Sequence, residues 1–379
     1  NTTGGCNAAI GGLALCKNTT GVHNTAIGSC ALRANTEGYH NQATGWRALY
    51  SNTTGGHNTA ISYDALFSNT TGFYNTAIGC GALYYNTEGY CNTAIGQRAL
   101  YCNTTGCDNT AIGDCALHCN TTGDDNAAIG CKALFKNTTG HNNTAIGKSA
   151  LYTSLSGDHN FAAGNCALYS NWGGCHNNAI GYQALKANTT GCYNTAIGRE
   201  LLAANTTGCY NAAIGSNVLA SNTTGKCNVA IGYSLLGGSG SNNIALGVNS
   251  LVYNTTGSSN IALGSLALNK NTTGNSNFAV GYETMRCNVT GQYNIALGNG
   301  ALLGCANSSA SCNVALGLNA HRLALSGKDN NALGTNALYN NWGGCYNNAI
   351  GYSALQSNTT GSNNQAIGQN ALCSNTTGD

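Results

Sequence analysis

Cysteine, asparagine and histidine are the residues of this chain whose types and spacing could support chemistry. The 379 residues include 20 cysteines and 8 histidines. Cysteines form disulfides in oxidising compartments. Seventeen asparagines open the sequence Asn-X-Ser/Thr, which accepts N-linked glycans in secreted proteins. His23, His40 and His57 recur at a constant interval and could bind a metal together, although exposed histidines at a variable position usually bind none.

Enzymatic chemistry has little support in the sequence. The 12 acidic residues are spread along the chain, so no carboxylate pair recurs and no Ser-His-Asp set can be located. The cysteines lack the matched C-x₂₋₄-C pairs that are typical of zinc sites. No helix is expected after the glycines, as a phosphate-binding loop would need. We therefore expect a non-enzymatic protein with no catalytic, cofactor-binding or metal site.

The elements that position these residues follow from a tandem repeat. The unit N-T-T-G-x-x-N-T-A-I-G-x-x-A-L-x-x returns 22 times, and we number its positions 1 to 17. The spacing falls to 15 near 237–240 and rises to 19 near 305–311, which predicts two irregular coils. We expect residues 1–379 to form a single continuous array. Because the chain starts and ends within the Asn-Thr-Thr-Gly segment, we also expect a fragment or subunit of a longer fibre.

Each repeat is too short for a pair of packed helices. Two short extended segments, Thr-Ala-Ile and Ala-Leu-x, fit the length, with the glycines at positions 4 and 11 supplying positive φ at the corners. The sequence therefore predicts an all-β fold, a parallel β-solenoid or β-roll of 22 coils. Equivalent positions would stack about 4.8 Å apart.

Asparagine fills position 7 in every copy of the repeat. Stacked carboxamides can each donate to the next and accept from the previous one, so a buried column would satisfy itself as a ladder. The first members of this predicted ladder are Asn7, Asn24, Asn41, Asn58, Asn75, Asn92, Asn109 and Asn126.

The adjacent Ala-Ile pair leaves two arrangements open. Neighbouring side chains of a strand point to opposite faces, so an inward alanine at position 9 would place isoleucine or leucine outside. A continuous outward apolar stripe favours a second layer, such as partner chains around a common axis. Alternatively, the turns disturb the alternation and both residues face inward in a single-chain solenoid.

The segment Asn24-Thr25-Ala26-Ile27-Gly28, which recurs as Asn75-Thr76-Ala77-Ile78-Gly79 and Asn194-Thr195-Ala196-Ile197-Gly198, resembles the N-x-(V/A)-A-I-G motif of trimeric autotransporter adhesin heads. The resemblance implies a left-handed parallel β-roll, usually trimeric, on a bacterial surface. Similar arrays occur in phage tail fibres and in secreted bacterial fibre proteins. The length of the repeat unit, the Asn-Thr-Thr-Gly turn and the many cysteines depart from the family pattern.

Stacking in a solenoid would bring several cysteines within disulfide distance, because one coil spacing falls in the 4.4–6.8 Å range of bridged Cα atoms. Such bridges predict an oxidising, extracellular setting, whereas unpaired thiols would suit the cytosol. The disulfide candidates are the stacked sets Cys102/Cys119 and Cys175/Cys192/Cys209, and the offset pairs Cys115/Cys131 and Cys91/Cys107.

Glycosylation is the second modification that the sequence suggests. Glycans would add solubility to a surface with few charges, but Asn-Thr-Thr-Gly is also good turn chemistry duplicated with the repeat. Besides Asn1, the candidates are Asn18, Asn52, Asn69, Asn103, Asn120, Asn137, Asn142, Asn188, Asn205, Asn222, Asn254, Asn271, Asn288, Asn307, Asn358 and Asn375.

Composition limits the class of function. Only 7 % of residues are charged, against roughly 25 % in typical domains. The net charge of +2 offers no field for nucleic acid, and no apolar run is long enough to span a membrane. We expect an extracellular or cell-surface structural fibre that self-associates, end to end or as a trimer. The alternatives are an adhesin or tail-fibre shaft that binds a glycan through aromatics such as Tyr39, Phe73, Tyr74, Tyr90, Trp172 and Trp342, and, less supported, an ice-binding solenoid.

Overall fold

The computed structural model describes residues 2–305 and 307–379. The Asn1 sequon and Ala306, within the irregular segment 305–311, lie outside the described residues. The chain divides into two compact units, Asn1–Cys192 and Tyr193–Asp379. Each unit is all-β and consists of parallel solenoid coils with one strand per coil, so the predicted fold class is confirmed. In the part of the chain that is described, no helix is long and apolar enough to cross a membrane.

In the first unit the strands are short and regularly spaced. They are β1 Ala8–Ile10, β2 Thr25–Ile27, β3 Gln42–Thr44, β4 Thr59–Ile61, β5 Thr76–Ile78, β6 Thr93–Ile95, β7 Thr110–Ile112, β8 Ala127–Ile129, β9 Thr144–Ile146, β10 Phe161–Ala163 and β11 Asn178–Ile180. Within this unit successive strands pair in parallel and in register, as Ala77 does with Ala94. Identical repeat positions are therefore stacked.

The second unit repeats this arrangement. Its strands are β12 Thr195–Arg199, β13 Ala212–Ser216, β14 Val229–Tyr233, β15 Ile244–Val248, β16 Ile261–Leu263, β17 Phe278–Val280, β18 Ile295–Leu297, β19 Val314–Leu316, β20 Asn331–Leu333, β21 Asn348–Ile350 and β22 Gln365–Ile367. The register continues across the shortened step, where Ala230 pairs with Ala245, and across the lengthened step, where Ala296 pairs with Ala315.

The predicted second strand, Ala-Leu-x, is wrong. In the first unit positions 12 to 17 form turns, and the leucine at position 15 adopts a left-handed backbone, with φ of 50° at Leu32 and 52° at Leu49. This conformation is costly for leucine in isolation. Here it directs the side chain into the coil, where both leucines are completely buried. Burial of a leucine side chain contributes about 1.5–3 kcal/mol, which is enough to offset the backbone cost.

The two recurring glycines of the repeat are required for different physical reasons. Position 11 has positive φ, as at Gly28 (130°) and Gly96 (132°), which matches the prediction. In the described coils the glycines at position 4 do not have positive φ, so that part of the prediction is wrong. A Cβ on Gly55 would lie 2.4 Å from the carbonyl oxygen of Gly72 and 2.5 Å from Oδ1 of Asn52. Position 4 is glycine because the backbone packs directly against an asparagine side chain.

The interior of each coil is thin and contains three apolar columns. The alanines at positions 9 and 14 and the leucine at position 15 are fully buried, as Ala94, Ala99 and Leu100 show. Isoleucine at position 10 points outward, with Ile95 37 % exposed. Of the two arrangements left open by the sequence, the structure has alanine inside and isoleucine outside.

The position 7 asparagines form the predicted ladder, but its main partners are backbone groups. Asn41 Oδ1 accepts a hydrogen bond from the backbone N–H of Asn58 (3.0 Å). Nδ2 of Asn41 donates to the carbonyl oxygen of Gly55 (2.8 Å). The amide-to-amide bond from Asn58 Nδ2 to Asn41 Oδ1 is longer, at 3.2 Å. Each side chain thus joins its own coil to the next.

A second asparagine column, at position 1, runs beside the first. Asn52 Nδ2 donates to Oδ1 of Asn35 (2.8 Å) and to the carbonyl oxygen of Gly55 (2.9 Å). Asn35 and Asn52 are both fully buried. The carbonyl of Gly55 therefore accepts from both columns at once. The direct carboxamide-to-carboxamide bond is shorter at position 1 (2.8 Å) than at position 7 (3.2 Å), the column that the sequence identified.

Buried atoms without a partner mark the places where the position 1 column is broken. Oδ1 of Asn137 faces a coil that has Ser154 instead of asparagine, and neither Asn137 Oδ1 nor Ser154 Oγ has a hydrogen-bond partner. Oδ1 of Asn222 is also unpartnered, next to the shortened coil. In that coil Gly237 is packed so closely that a Cβ would lie 2.0 Å from the carbonyl oxygen of Val252. A surface cavity of about 340 Å³ opens beside it.

We predict that Asn126→Ala destabilises the fold by about 1–3 kcal/mol, because it strands buried groups. The substitution removes the acceptor of the Asn143 backbone N–H (3.0 Å) and the donor to the Gly140 carbonyl (2.8 Å). Chemical denaturation measures the effect. Lys148→Ala, at an exposed position, is the control and should change stability by less than about 0.5 kcal/mol. An Asn126→Ala protein as stable as the control contradicts the ladder.

Candidate functional site

An outward apolar stripe, formed by the side chains at position 10 of the repeat, runs along each unit. Most isoleucines in it are 36–43 % exposed. In the first unit it comprises Ile10, Ile27, Ile61, Ile78, Ile95, Ile112, Ile129, Ile146 and Ile180 and is interrupted by Thr44 and Ala163. In the second unit it comprises Ile197, Ile214, Ile231, Leu246, Leu263, Val280, Leu297, Leu316, Leu333, Ile350 and Ile367. Exposed apolar surface of this continuity is typical of an interaction surface.

Most of the predicted glycosylation asparagines belong to the buried position 1 column. Their Nδ2 atoms, which a glycan would modify, already donate hydrogen bonds inside the coil, as Asn103 does to Asn86 Oδ1 (2.8 Å) and to the Gly106 carbonyl (2.9 Å). The buried members are Asn18, Asn52, Asn69, Asn103, Asn120, Asn137, Asn188, Asn205, Asn222, Asn254, Asn271, Asn288 and Asn358. A glycan on any of them is incompatible with the folded coil.

Two sequons lie outside this column. Asn142 occupies position 6, is exposed, and has φ of 56°. Asn307, in the inserted segment, is also exposed, with φ of 64°. Asn375 is half-buried and still donates to Asn358 Oδ1 (3.0 Å). The sequence motif alone could not separate these sites, because burial of position 1 is set by the turn geometry and not by the sequon.

None of the cysteines in residues 2–305 and 307–379 forms a disulfide, so the structure does not contain the predicted bridges at Cys102, Cys119, Cys175, Cys192, Cys209, Cys115, Cys131, Cys91 or Cys107. The stacking that motivated them is present in part. Cys175 N–H donates to Sγ of Cys192 (3.2 Å). Cys102 and Cys119 occupy position 17 of successive coils, which are joined by the hydrogen bond from Cys102 N–H to the His118 carbonyl (2.9 Å). Burial raises the pKa of the Cys107 thiol.

The acidic side chain of Asp114 opposes ionisation of Cys115, another of the disulfide candidates. Cys115 donates to Asp114 Oδ1 (3.5 Å), and Sγ of Cys131 lies 3.9 Å from Asp114 Oδ2. Burial, followed by the adjacent Asp114 carboxylate, raises the pKa of the Cys115 thiol. Thiolate is the reactive form of cysteine, so this acid-flanked position has low reactivity at neutral pH.

Aromatic side chains stack along the coils in the first unit. At position 16, ring centroids of successive coils lie 5.0–5.2 Å apart in an unbroken series: Tyr50, Phe67, Tyr84, Tyr101, His118, Phe135, Tyr152 and Tyr169. We call this series the aromatic ladder. Its rings are half-buried. Stacked rings add about 0.5–1.5 kcal/mol per pair beyond their buried area, so the ladder also stabilises coil stacking.

The histidines noted in the sequence form a similar stack. His23, His40 and His57 have ring centroids 4.8 and 4.9 Å apart, with Tyr74 stacked next at 4.8 Å. The rings are nearly parallel, with interplanar angles of 9° and 15° for the two histidine pairs. Within residues 2–305 and 307–379 no group of three or more His, Cys, Asp or Glu side chains is arranged to hold a metal ion.

The aromatics proposed for glycan stacking are exposed but differ in the freedom of their faces. Phe73 and Tyr90 stack on each other at 5.3 Å, and Tyr74 covers His57. Trp172 and Trp342 are 58 % and 50 % exposed. Trp172 is the most exposed of these six aromatic side chains.

His321 is a buried titratable group that the sequence analysis did not identify. It replaces leucine at position 15 and is fully buried. Ala324 replaces the next position 1 asparagine, and Nε2 of His321 lies 3.2 Å from both Nδ2 and the carbonyl oxygen of Asn341. The imidazole therefore occupies the place of the missing carboxamide. Nδ1 has no partner, and burial lowers the pKa of His321 to about 4.

No protein-family model matches the chain, and no curated protein sequence matches it. The features on which a function can be argued are therefore the stacked columns and the outward stripe.

We predict that in vitro glucosylation of the folded chain marks Asn142 and Asn307 and leaves the thirteen buried sequons unmodified. A soluble N-glycosyltransferase with UDP-glucose is the reagent, and peptide mass spectrometry reads the sites. Tryptic peptides of the same chain are the control and should be modified at buried and exposed sequons alike. Modification of Asn103 or Asn120 in the folded protein would show that the position 1 column is open to solvent.

We predict that protonation of His321 destabilises the second unit as the pH falls from about 6.5 to about 4. The ordinary histidine pKa is 6.5 and the folded value is about 4. The neutral form is favoured in the fold, so its contribution is complete above pH 6.5 and lost below. The expected loss is roughly 3 kcal/mol, measured by urea denaturation at pH 7 and pH 4.

The control for this prediction is the double variant His321→Leu/Ala324→Asn, which restores the repeat consensus. It should lose less stability between pH 7 and pH 4 than the wild type. If both proteins lose the same amount, His321 is not the group responsible.

Proposed function

We propose that this protein is a structural component of an extracellular or cell-surface fibre, in which copies of the chain associate laterally along the outward stripe. The observation that supports this proposal best is the register of the stripe. In the first unit most strands place an exposed isoleucine at one position, such as Ile78 at 36 % and Ile112 at 37 % exposure. An apolar face of this length is unfavourable in water.

The interior supports a mechanical role. Columns of asparagine, alanine and leucine repeat in every regular coil, and the hydrogen bonds run between successive coils, as from Asn58 to Gly72 (2.8 Å). Force applied along the stacking direction would load many equivalent bonds together. The motif resemblance to trimeric adhesin heads and to fibre proteins is consistent with such a role, and a trimer or another lateral assembly is the state that we propose.

A surface adhesin that binds a glycan is the second candidate. Exposed Trp172 and Trp342 favour it, since a free aromatic face can stack on a sugar ring. The ice-binding alternative has less support. Threonine at position 8 lies on the same face of the strand as the outward isoleucine, but it occurs in only 7 of the 22 coils.

The test is the native mass of the protein with and without the stripe. Light scattering should give a multiple of the 38.5 kDa chain for the wild type. The triple variant Ile78→Thr/Ile95→Thr/Ile112→Thr keeps β-branched residues on the strands and should weaken self-association by at least tenfold. Gln97→Ala/Lys148→Ala, at exposed sites of position 12, is the matched control and should assemble as the wild type does.

A wild type that remains a 38.5 kDa monomer at all accessible concentrations contradicts the lateral fibre. An assembly that persists unchanged in the triple variant would also refute the stripe as its interface. Binding of that monomer to a glycan array, lost in Trp172→Ala, would favour the adhesin.

A further inference from the structure

The thiols of Cys102 and Cys119 form a polarised pair on the first unit. Both occupy position 17 of successive coils and are half-buried. The coils are held in register by hydrogen bonds from Cys102 N–H to the His118 carbonyl (2.9 Å) and from Cys119 N–H to the Phe135 carbonyl (3.0 Å). Each thiol influences the ionisation of the other. The stacked backbone thus holds the two thiols in the same column, one coil apart.

The surroundings of the pair are asymmetric. Sγ of Cys119 lies 3.5 Å from Nδ1 of His118, and Lys136 follows Cys119 in the same column and adds positive charge. Cys102 has no such cationic neighbour among the groups that influence it. His118 is itself fixed between Tyr101 (5.2 Å) and Phe135 (5.1 Å) in the aromatic ladder.

Ionisation follows this asymmetry. The hydrogen bond from Cys102 and then the His118 imidazole lower the pKa of Cys119 to about 5. The same thiol–thiol hydrogen bond, together with burial, raises the pKa of Cys102. At neutral pH, Cys119 is therefore the thiolate and Cys102 retains its proton. An attacking thiolate beside a protonated second thiol is the arrangement that thiol–disulfide exchange requires.

We propose that Cys102 and Cys119 form a redox-active dithiol site that reduces low-molecular-weight disulfides, with Cys119 as the attacking residue and Cys102 as the resolving residue. This activity goes beyond the structural role and does not depend on it. It also differs from a permanent cross-link, because the pair exchanges with its surroundings.

The exchange balances in two steps. The Cys119 thiolate attacks one sulfur of a disulfide RS–SR, forming a Cys119–S–S–R bond and releasing RS⁻. Cys102 then loses its proton to RS⁻, and its sulfur attacks Sγ of Cys119. The Cys119–S–SR bond breaks, a second RS⁻ leaves, and a Cys102–Cys119 disulfide forms. Two protein thiols are oxidised and one disulfide is reduced to two thiols, the second RS⁻ taking a proton from water.

The first test is the pH dependence of alkylation by iodoacetamide, followed by peptide mass spectrometry on the full, reduced chain. Low-pKa thiolates are weaker nucleophiles, so the shape of the profile is more informative than the absolute rate. Between pH 6 and pH 8 the Cys119 rate should be nearly constant. The rate at the acid-flanked Cys115 should rise about tenfold per pH unit. A Cys119 rate that rises in parallel with the Cys115 rate overturns the proposal.

The second test uses glutathione disulfide as the probe. The wild type should form an internal Cys102–Cys119 disulfide, whereas Cys102→Ser should accumulate a mixed glutathione disulfide at Cys119. Cys115→Ser is the control and should behave as the wild type. If Cys102→Ser carries no glutathione at Cys119, or carries it equally at Cys115, the site is not a selective dithiol.

His118 is a positioning residue in this proposal, and His118→Phe keeps an aromatic ring in the ladder. In this variant the pH midpoint of Cys119 alkylation should rise by at least one unit, with native mass and far-UV circular dichroism unchanged. An unchanged midpoint would remove His118 from the site. An assembly that persists in the variant Ile78→Thr/Ile95→Thr/Ile112→Thr, with alkylation unaltered, would refute only the structural proposal.

Discussion

The fold depends on one interaction that is repeated in every regular coil: a carboxamide Nδ2 donating to the carbonyl of the position 4 glycine. Gly55 illustrates it, because its carbonyl accepts from Asn41 and Asn52 together. Buried amides are costly without partners. Here the position 1 carboxamide bonds its own coil, and the position 7 carboxamide bonds the next coil. The same contact explains why position 4 must be glycine, since a Cβ there would overlap the Asn52 side chain. This one hydrogen-bonded contact therefore fixes the buried asparagine columns, the glycine at the turn and the register between coils.

The repeat in the sequence is sufficient to predict the all-β parallel solenoid, the ladder at position 7 and inward alanine at position 9. It is not sufficient for the second half of the coil. Leu32 and Leu49 adopt left-handed backbones, which local propensity argues against. Burial of their side chains compensates, and that burial is visible only once the coil is closed. Position 1 is misjudged for the same reason, because Asn-Thr-Thr-Gly is typical of a surface turn until stacking buries its first residue.

The chemistry of individual sites is harder to predict from the sequence than the fold is. The constant spacing of the repeat correctly indicates that Cys102, Cys119 and Lys136 share a column. It does not give the 3.5 Å contact between His118 Nδ1 and Cys119 Sγ, which distinguishes this pair from Cys115 beside Asp114. His321 shows the converse case. Its side chain replaces the carboxamide missing at Ala324, a compensation between two residues that each look like an ordinary departure from the repeat. At both sites the neighbouring groups, and not the residue type alone, set the ionisation of the side chain.

The coil uses different side chains for its core and for its outer surface. Inside, the carboxamides are hydrogen-bonded and the alanines and leucines are buried, so the exposed isoleucines are not needed to complete the core of a single chain. We propose that they contact another surface. The insertion near 305–311 leaves the strand register intact, since Val314 pairs with Ile295, and so it leaves the outward face continuous across β18 and β19.

The most direct measurement is hydrogen exchange of the asparagine side chains, followed by NMR on protein labelled with ¹⁵N at Nδ2. The account predicts two populations. Carboxamides of the position 1 and position 7 columns should exchange at least a hundredfold more slowly than that of exposed Asn142, and Asn126→Ala should accelerate exchange in its neighbours. Uniform exchange at the rate of Asn142 would contradict the buried ladders and, with them, this account of the fold.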